Sequence, residues 1–86
     1  MPRISEFCGI AIYMYYKEQG VAHFHAIYGQ YDVPIGIDPI NILEGKLPRR
    51  VRSLVFEWAE TYQTELLANW ELARTGHPLR RLPPLE

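Results

Sequence analysis

The stretch VAHFHAIYGQYDVPIGI, residues 21–37, decides the fold. Residues 22–28 and 31–37 are rich in β-branched and aromatic side chains, the composition of strands. Between them lies a two-residue link, Gly29-Gln30, in which glycine supplies the positive φ that tight hairpin turns need. The link sets the alignment: Tyr28 faces Tyr31, Ala26 faces Val33, His25 faces Pro34, Phe24 faces Ile35 and His23 faces Gly36. Directly opposed residues share a side of the sheet. One side therefore carries Phe24, Ala26, Tyr28, Tyr31, Val33, Ile35 and Ile37 and is apolar. The other carries His23, His25, Ile27, Asp32, Pro34 and Gly36. Pairs alternate between bonded and non-bonded from the turn, and pair 25/34 is non-bonded, so the position where Pro34 lacks its N–H points away from the second strand. A full-length neighbour beyond this strand would lose a bond there, which makes it an edge at that point.

Upstream, residues 9–16 form a further strand, with Ile10, Ile12 and Met14 on the apolar side and Ala11, Tyr13 and Tyr15 on the histidine side. That assignment requires an odd-numbered connection or a bulge around residues 17–20. Downstream, residues 42–44 are a candidate short fourth strand after the Asp38-Pro39 turn. The period then changes. Val51, Leu54, Val55, Trp58, Tyr62, Leu66, Trp70 and Ala73 recur at three and four residues, which predicts an amphipathic helix over 48–75. Pro48 suits a first helical turn, and Gly76 with Pro78 is a stop signal. A straight helix of that length runs about 40 Å, whereas an eight-residue strand covers about 27 Å. The helix must overhang the sheet or break, and the two threonines at 61 and 64 mark the weak place. The expected architecture is α+β in a single domain over 1–86. A three- to four-stranded antiparallel meander (4–44) is followed by a long or broken helix packed on one face (48–75) and an extended tail (76–86).

Composition narrows the class. The chain has 86 residues, 48% of them hydrophobic, which suits one small globular core. No apolar run is long enough to span a membrane, and MPRISEF holds no signal-peptide segment, so a cytoplasmic setting is expected. A lone cysteine, Cys8, agrees with a reducing compartment and is expected to be a small buried apolar residue. Net charge is −1, so there is no global pull toward nucleic acid. No cofactor is implied.

Two groups of residues are candidates for function. The first is the sheet side with His23, His25, Tyr13 and Tyr15. Two histidines one residue apart on a strand have Cα atoms about 6.5–7 Å apart. They could share a metal, but zinc needs at least three protein ligands, and only Asp32, His77 and Glu6 come forward as thirds. They could act as acid and base on RNA, with Tyr13 or Tyr15 orienting a phosphate or stacking on a base. The plainest reading is a polar sheet side against solvent or a protein partner.

The second group is cationic. Arg49, Arg50 and Arg52 fall in the first helical turns, where the macrodipole disfavours them by about 0.3–1 kcal/mol each. Their i+4 positions are Ser53, Leu54 and Phe56, none acidic. Compensation must come from outside the helix: Glu44 or Glu86 at the surface, a phosphate, or an acidic partner. Arg80 and Arg81 add charge in a proline-rich tail, where Leu79, Leu82 and Leu85 recur every third residue as one edge of a polyproline II helix would.

Together MPRISEFCGIAIYMYY, HFHAIYG and the stretch from EGKLPRR through EW to NWELAR resemble the small bacterial proteins of the domain of unknown function 4160 family. The resemblance covers nearly the whole chain. The usual strand entry of that family resembles Asp-His-x-Pro-Pro-His-Phe-His. Here His23, Phe24 and His25 match, while the upstream Asp-His and Pro-Pro do not. The family's Leu-His in mid-helix is Thr61-Tyr62 here. Its members often stand beside a second small protein, of the domain of unknown function 2442 family, in an arrangement resembling a toxin–antitoxin pair. The resemblance therefore implies a cytosolic interaction module with a small protein partner or a second copy. An RNA-directed effector and a metal site at His23 and His25 are the alternatives.

Overall fold

Five strands build one antiparallel sheet in the order β1 to β5, and two helices follow. The computed structural model describes residues 2–86. The α+β class and the antiparallel meander are as expected; the sheet has five strands rather than three or four, and the long or broken helix expected over 48–75 is two helices. β1 (Arg3–Phe7) and β2 (Ile10–Tyr13) are separate strands, because Cys8 and Gly9 form a two-residue hairpin turn with φ of 53° and 76°. Positive φ at both positions is the sign of a type I′ turn, which matches the twist of paired strands. Cys8 is thereby turned out to solvent and is exposed, against the expectation that it is buried.

A register slip between Arg3 and Ser5 interrupts the β1–β2 ladder. It buries Ile4 and Ser5 consecutively and moves Arg3 opposite Tyr13. Without that slip, strict alternation would keep Arg3 on the side of Ser5 and Phe7.

β3 (His23–Tyr28) and β4 (Tyr31–Ile37) pair with the predicted alignment throughout, from Tyr28 opposite Tyr31 to His23 opposite Gly36. β2 joins β3 with Ala11 opposite Ile27 and Tyr13 opposite His25. β5 is Ile40–Ile42, two residues earlier than the expected 42–44, because Asp38-Pro39 alone makes the turn and Ile37 pairs Ile40. Its ladder stops with Ile35 opposite Ile42, beside Pro34, whose carbonyl accepts from the Leu43 N–H at 3.0 Å.

The helical segment breaks inside the expected window. α1 spans Arg49–Thr61 and α2 spans Gln63–Arg74, with Tyr62 between them at φ −113°, ψ 26°. Thr61 donates its hydroxyl back to the Glu57 carbonyl, a bond that tends to bend helices. The break lets Gln63 donate to the Ile37 carbonyl at the end of β4 (2.7 Å). At the far end, the N–H groups of Gly76 and His77 return to the carbonyls of Ala73 and Leu72, the Schellman pattern.

The core lies between the apolar sheet side and the helices. Ile10, Ile12, Met14, Phe24, Ile35 and Ile37 meet Val51, Val55, Trp58 and Leu66, all buried. Trp58 stands edge-on to Phe24 with ring centroids 5.7 Å apart. Its indole N–H donates to the Pro83 carbonyl at 2.8 Å, so the tail closes over the core. Leu79, Leu82 and Leu85 pack against the core, and the Leu82 N–H donates to the Ile4 carbonyl. The tail thus docks on its own domain.

Candidate functional site

Alternation along β3 places His23 and His25 on one side of the sheet, with ring centroids 5.4 Å apart. That side is not uniformly open. Trp70 of α2 lies 5.0 Å from the His23 ring, and His23 is only 9% exposed. Trp70 lies over the start of β3 on this side, and the β2–β3 connection is tied to α2 through Lys17, whose N–H donates to the Ala73 carbonyl (3.2 Å). His25 is half-buried, edge-on to Tyr15 at 4.7 Å, and Tyr15 stacks on Tyr13 at 6.0 Å. Arg3 completes the row, donating to the Tyr13 hydroxyl with its guanidinium 5.6 Å from that ring's centre. Burial holds the Tyr15 phenol above its usual ionisation range, and the nearby charges of Asp32, Tyr13 and Glu18 act in the same direction.

The centre of the site is a residue that sequence reasoning passed over. Glu18 reaches back from the β2–β3 connection, and one carboxylate oxygen, Oε1, lies 2.9 Å from His23 Nε2 and 3.0 Å from His25 Nε2. The other ring nitrogens are held as well. His23 Nδ1 is 2.8 Å from the Val21 carbonyl, and His25 Nδ1 is 3.2 Å from Asp32 Oδ1. Of the predicted third ligands, Asp32 is therefore on the outer edge of His25, away from the shared point. His77 instead faces the Thr75 hydroxyl, and Glu6 pairs Arg3. Periodicity carries no information about a connecting segment, so the only available signal was that Glu18 is the one acid between the strands.

The cationic group occupies a different place. Arg49, Arg50 and Arg52 are exposed at the start of α1, whose first turn holds no acid and whose Pro48 cap offers no side-chain bond. Among the described residues none of the three is in an ion pair, so neither Glu44 nor Glu86 compensates them. Arg80 and Arg81 are exposed in the tail, with the Arg80 backbone clamped by Asn69 through bonds of 2.9 and 3.1 Å.

A family model described as "Domain of unknown function (DUF4160)" matches residues 9–71. The chain belongs to the DUF4160 family. The matched span of this DUF4160 protein runs from β2 well into α2, so it holds Glu18, His23, His25, Asp32 and the α1 arginines. β1 with Arg3, and the tail with Arg80 and Arg81, lie outside it. No curated protein and no solved structure matches the chain. No helix among the described residues is long and apolar enough to cross a membrane.

Proposed function

We propose that this DUF4160 protein is a partner-binding module. Its cationic edge at the start of α1 docks on an acidic surface of a small protein in the cytosol. The observation that carries this reading is the exposed trio Arg49, Arg50 and Arg52, set where the helix macrodipole opposes them and left without an acidic partner among the described residues. An acidic protein surface offsets that repulsion and gives arginine the bidentate contacts it favours. The resemblance to families encoded in toxin–antitoxin-like pairs makes the product of the adjoining gene the partner to test.

Co-expression of the two proteins is expected to yield a heteromer on size-exclusion chromatography with light scattering. Replacing Arg49, Arg50 and Arg52 together by Glu is expected to dissolve it, with the fold preserved by circular dichroism. A chain that remains monomeric beside its neighbour overturns the proposal. A second reading, single-stranded RNA binding, is favoured by the stacked, half-buried Tyr13 and Tyr15 beside Arg3. It predicts a salt-sensitive rise in RNA fluorescence anisotropy that Tyr13→Ala reduces, and no rise at low salt would dismiss it.

A further inference from the structure

The acceptors around the two imidazoles determine where their protons lie. A backbone carbonyl only accepts, so His23 Nδ1, 2.8 Å from the Val21 carbonyl, carries the hydrogen. The Asp32 carboxylate likewise takes the hydrogen of His25 Nδ1. In each neutral ring, Nε2 is then a bare lone pair. Both lone pairs point at Glu18 Oε1, itself an acceptor, at 2.9 and 3.0 Å. Three electron-rich atoms lie within 4.8 Å of one another. Something positive belongs among them. Two added protons would put two positive rings 5.4 Å apart, one of them buried against Trp70. One divalent cation satisfies all three atoms at once.

We propose that Glu18, His23 and His25 bind a divalent cation of the zinc class, with Asp32 and the Val21 carbonyl holding the two rings in the ligating tautomer. Two imidazole nitrogens and one carboxylate oxygen suit zinc and its first-row neighbours rather than magnesium or calcium, which take oxygen shells. Tetrahedral bonds of about 2.0–2.1 Å set ligand atoms roughly 3.3 Å apart. Glu18 reaches that spacing by moving outward a few tenths of an ångström from its present 2.9 and 3.0 Å, while the two Nε2 atoms, within 4.8 Å of each other, settle to it by rotation of the rings. The outer bonds are those that ligating histidines make elsewhere, one to a carboxylate and one to a backbone carbonyl. Three protein ligands leave a fourth position for water. Because Glu18 sits in the β2–β3 connection and both histidines on β3, the ion ties that connection to the sheet.

The test uses the full chain stripped with chelator and then titrated with zinc or cobalt(II). The expected result is one ion per chain and a visible cobalt spectrum of low coordination number. The midpoint of thermal unfolding should rise by roughly 10–20 °C when zinc stands 100-fold above its Kd. Glu18→Gln and His25→Ala should each weaken binding at least tenfold. Asp32→Asn, at a positioning residue, should weaken it about 10- to 100-fold and leave the cobalt band shape unchanged. Glu18 is on a surface connection, so its variant keeps the experiment decisive if the His25 variant does not fold. Folded protein that shows neither cobalt band nor thermal shift overturns the site. So does binding that survives Glu18→Gln undiminished, or a thiolate charge-transfer band that places the ion at Cys8.

Discussion

Gly36 shows how closely single side chains are fitted in the sheet. A methyl group there would come 2.6 Å from Asn41 Oδ1 in β5 and 3.0 Å from the Pro39 carbonyl on the turn that leads into it. The Pro39 carbonyl is backbone and cannot swing aside. Gly36→Ala is therefore expected to cost about 1–3 kcal/mol, read as a lower midpoint in urea or heat. Cys8 makes the opposite case. Its φ of 53° lies in the left-handed region, which most side chains resist by about 1–2 kcal/mol and asparagine tolerates better. Cys8→Asn should raise stability by up to about 1 kcal/mol in the same assay, and it also removes the one thiol. Tyr15 gives a pH dependence. Its phenol ionises later in the folded than in the unfolded chain, chiefly because it is buried. Its contribution is whole below the ordinary phenol range near pH 10 and is lost as pH rises through the folded value. An alkaline spectrophotometric titration should find a late-ionising tyrosine that Tyr15→Phe removes.

Among the elements, α1 carries a conflict between stability and the proposed docking role. Its first turn has arginines where acids are favoured, and Pro48 supplies no capping side chain. Arg49→Glu should therefore stabilise the free chain by about 0.3–1 kcal/mol while weakening the partner complex. A parallel loss of stability and binding would mean that the arginine acts in the fold rather than at an interface. The β3–β4 hairpin behaves differently. Its turn has only two residues, so one glycine sets the pairing of every residue on both strands, and all six pairs can be read from the sequence. The same logic applied to Cys8-Gly9 would have found β1. Phe7 and Ile10, three residues apart, would fall on opposite sides of a continuous strand, and the two-residue turn is what brings both to the core side. The helix break was visible as a mismatch of lengths and two threonines. Its position at Tyr62 depends on Gln63 reaching the Ile37 carbonyl, a contact between residues 26 apart.

For the molecule as a whole, the tail completes the core. Pro83 accepts from the Trp58 indole and the Ser5 hydroxyl, Arg80 is clamped by Asn69, and three leucines lie on the apolar surface between β1 and the helices. Removing residues 79–86 should cost on the order of 3–5 kcal/mol from lost apolar burial. Total stability for a chain this size is roughly 4–13 kcal/mol. The shortened protein is expected to lose its cooperative thermal transition or show it tens of degrees lower. Asn69→Ala, which strands a buried clamp, should cost about 1–3 kcal/mol with the chain length unchanged. Sequence alone determined the strand alignment around Gly29, the apolar and polar sides of the sheet, the face of the helical segment and the cationic start of α1. Each of these follows from a short repeat or a tight turn, where neighbours along the chain are also neighbours in space. The tertiary structure decided that Trp70 covers His23, that the tail seals Trp58, and that Glu18 joins both histidines at one oxygen. Those contacts depend on how the nine-residue connection over 14–22 and a broken helix settle against the sheet, which no periodicity encodes.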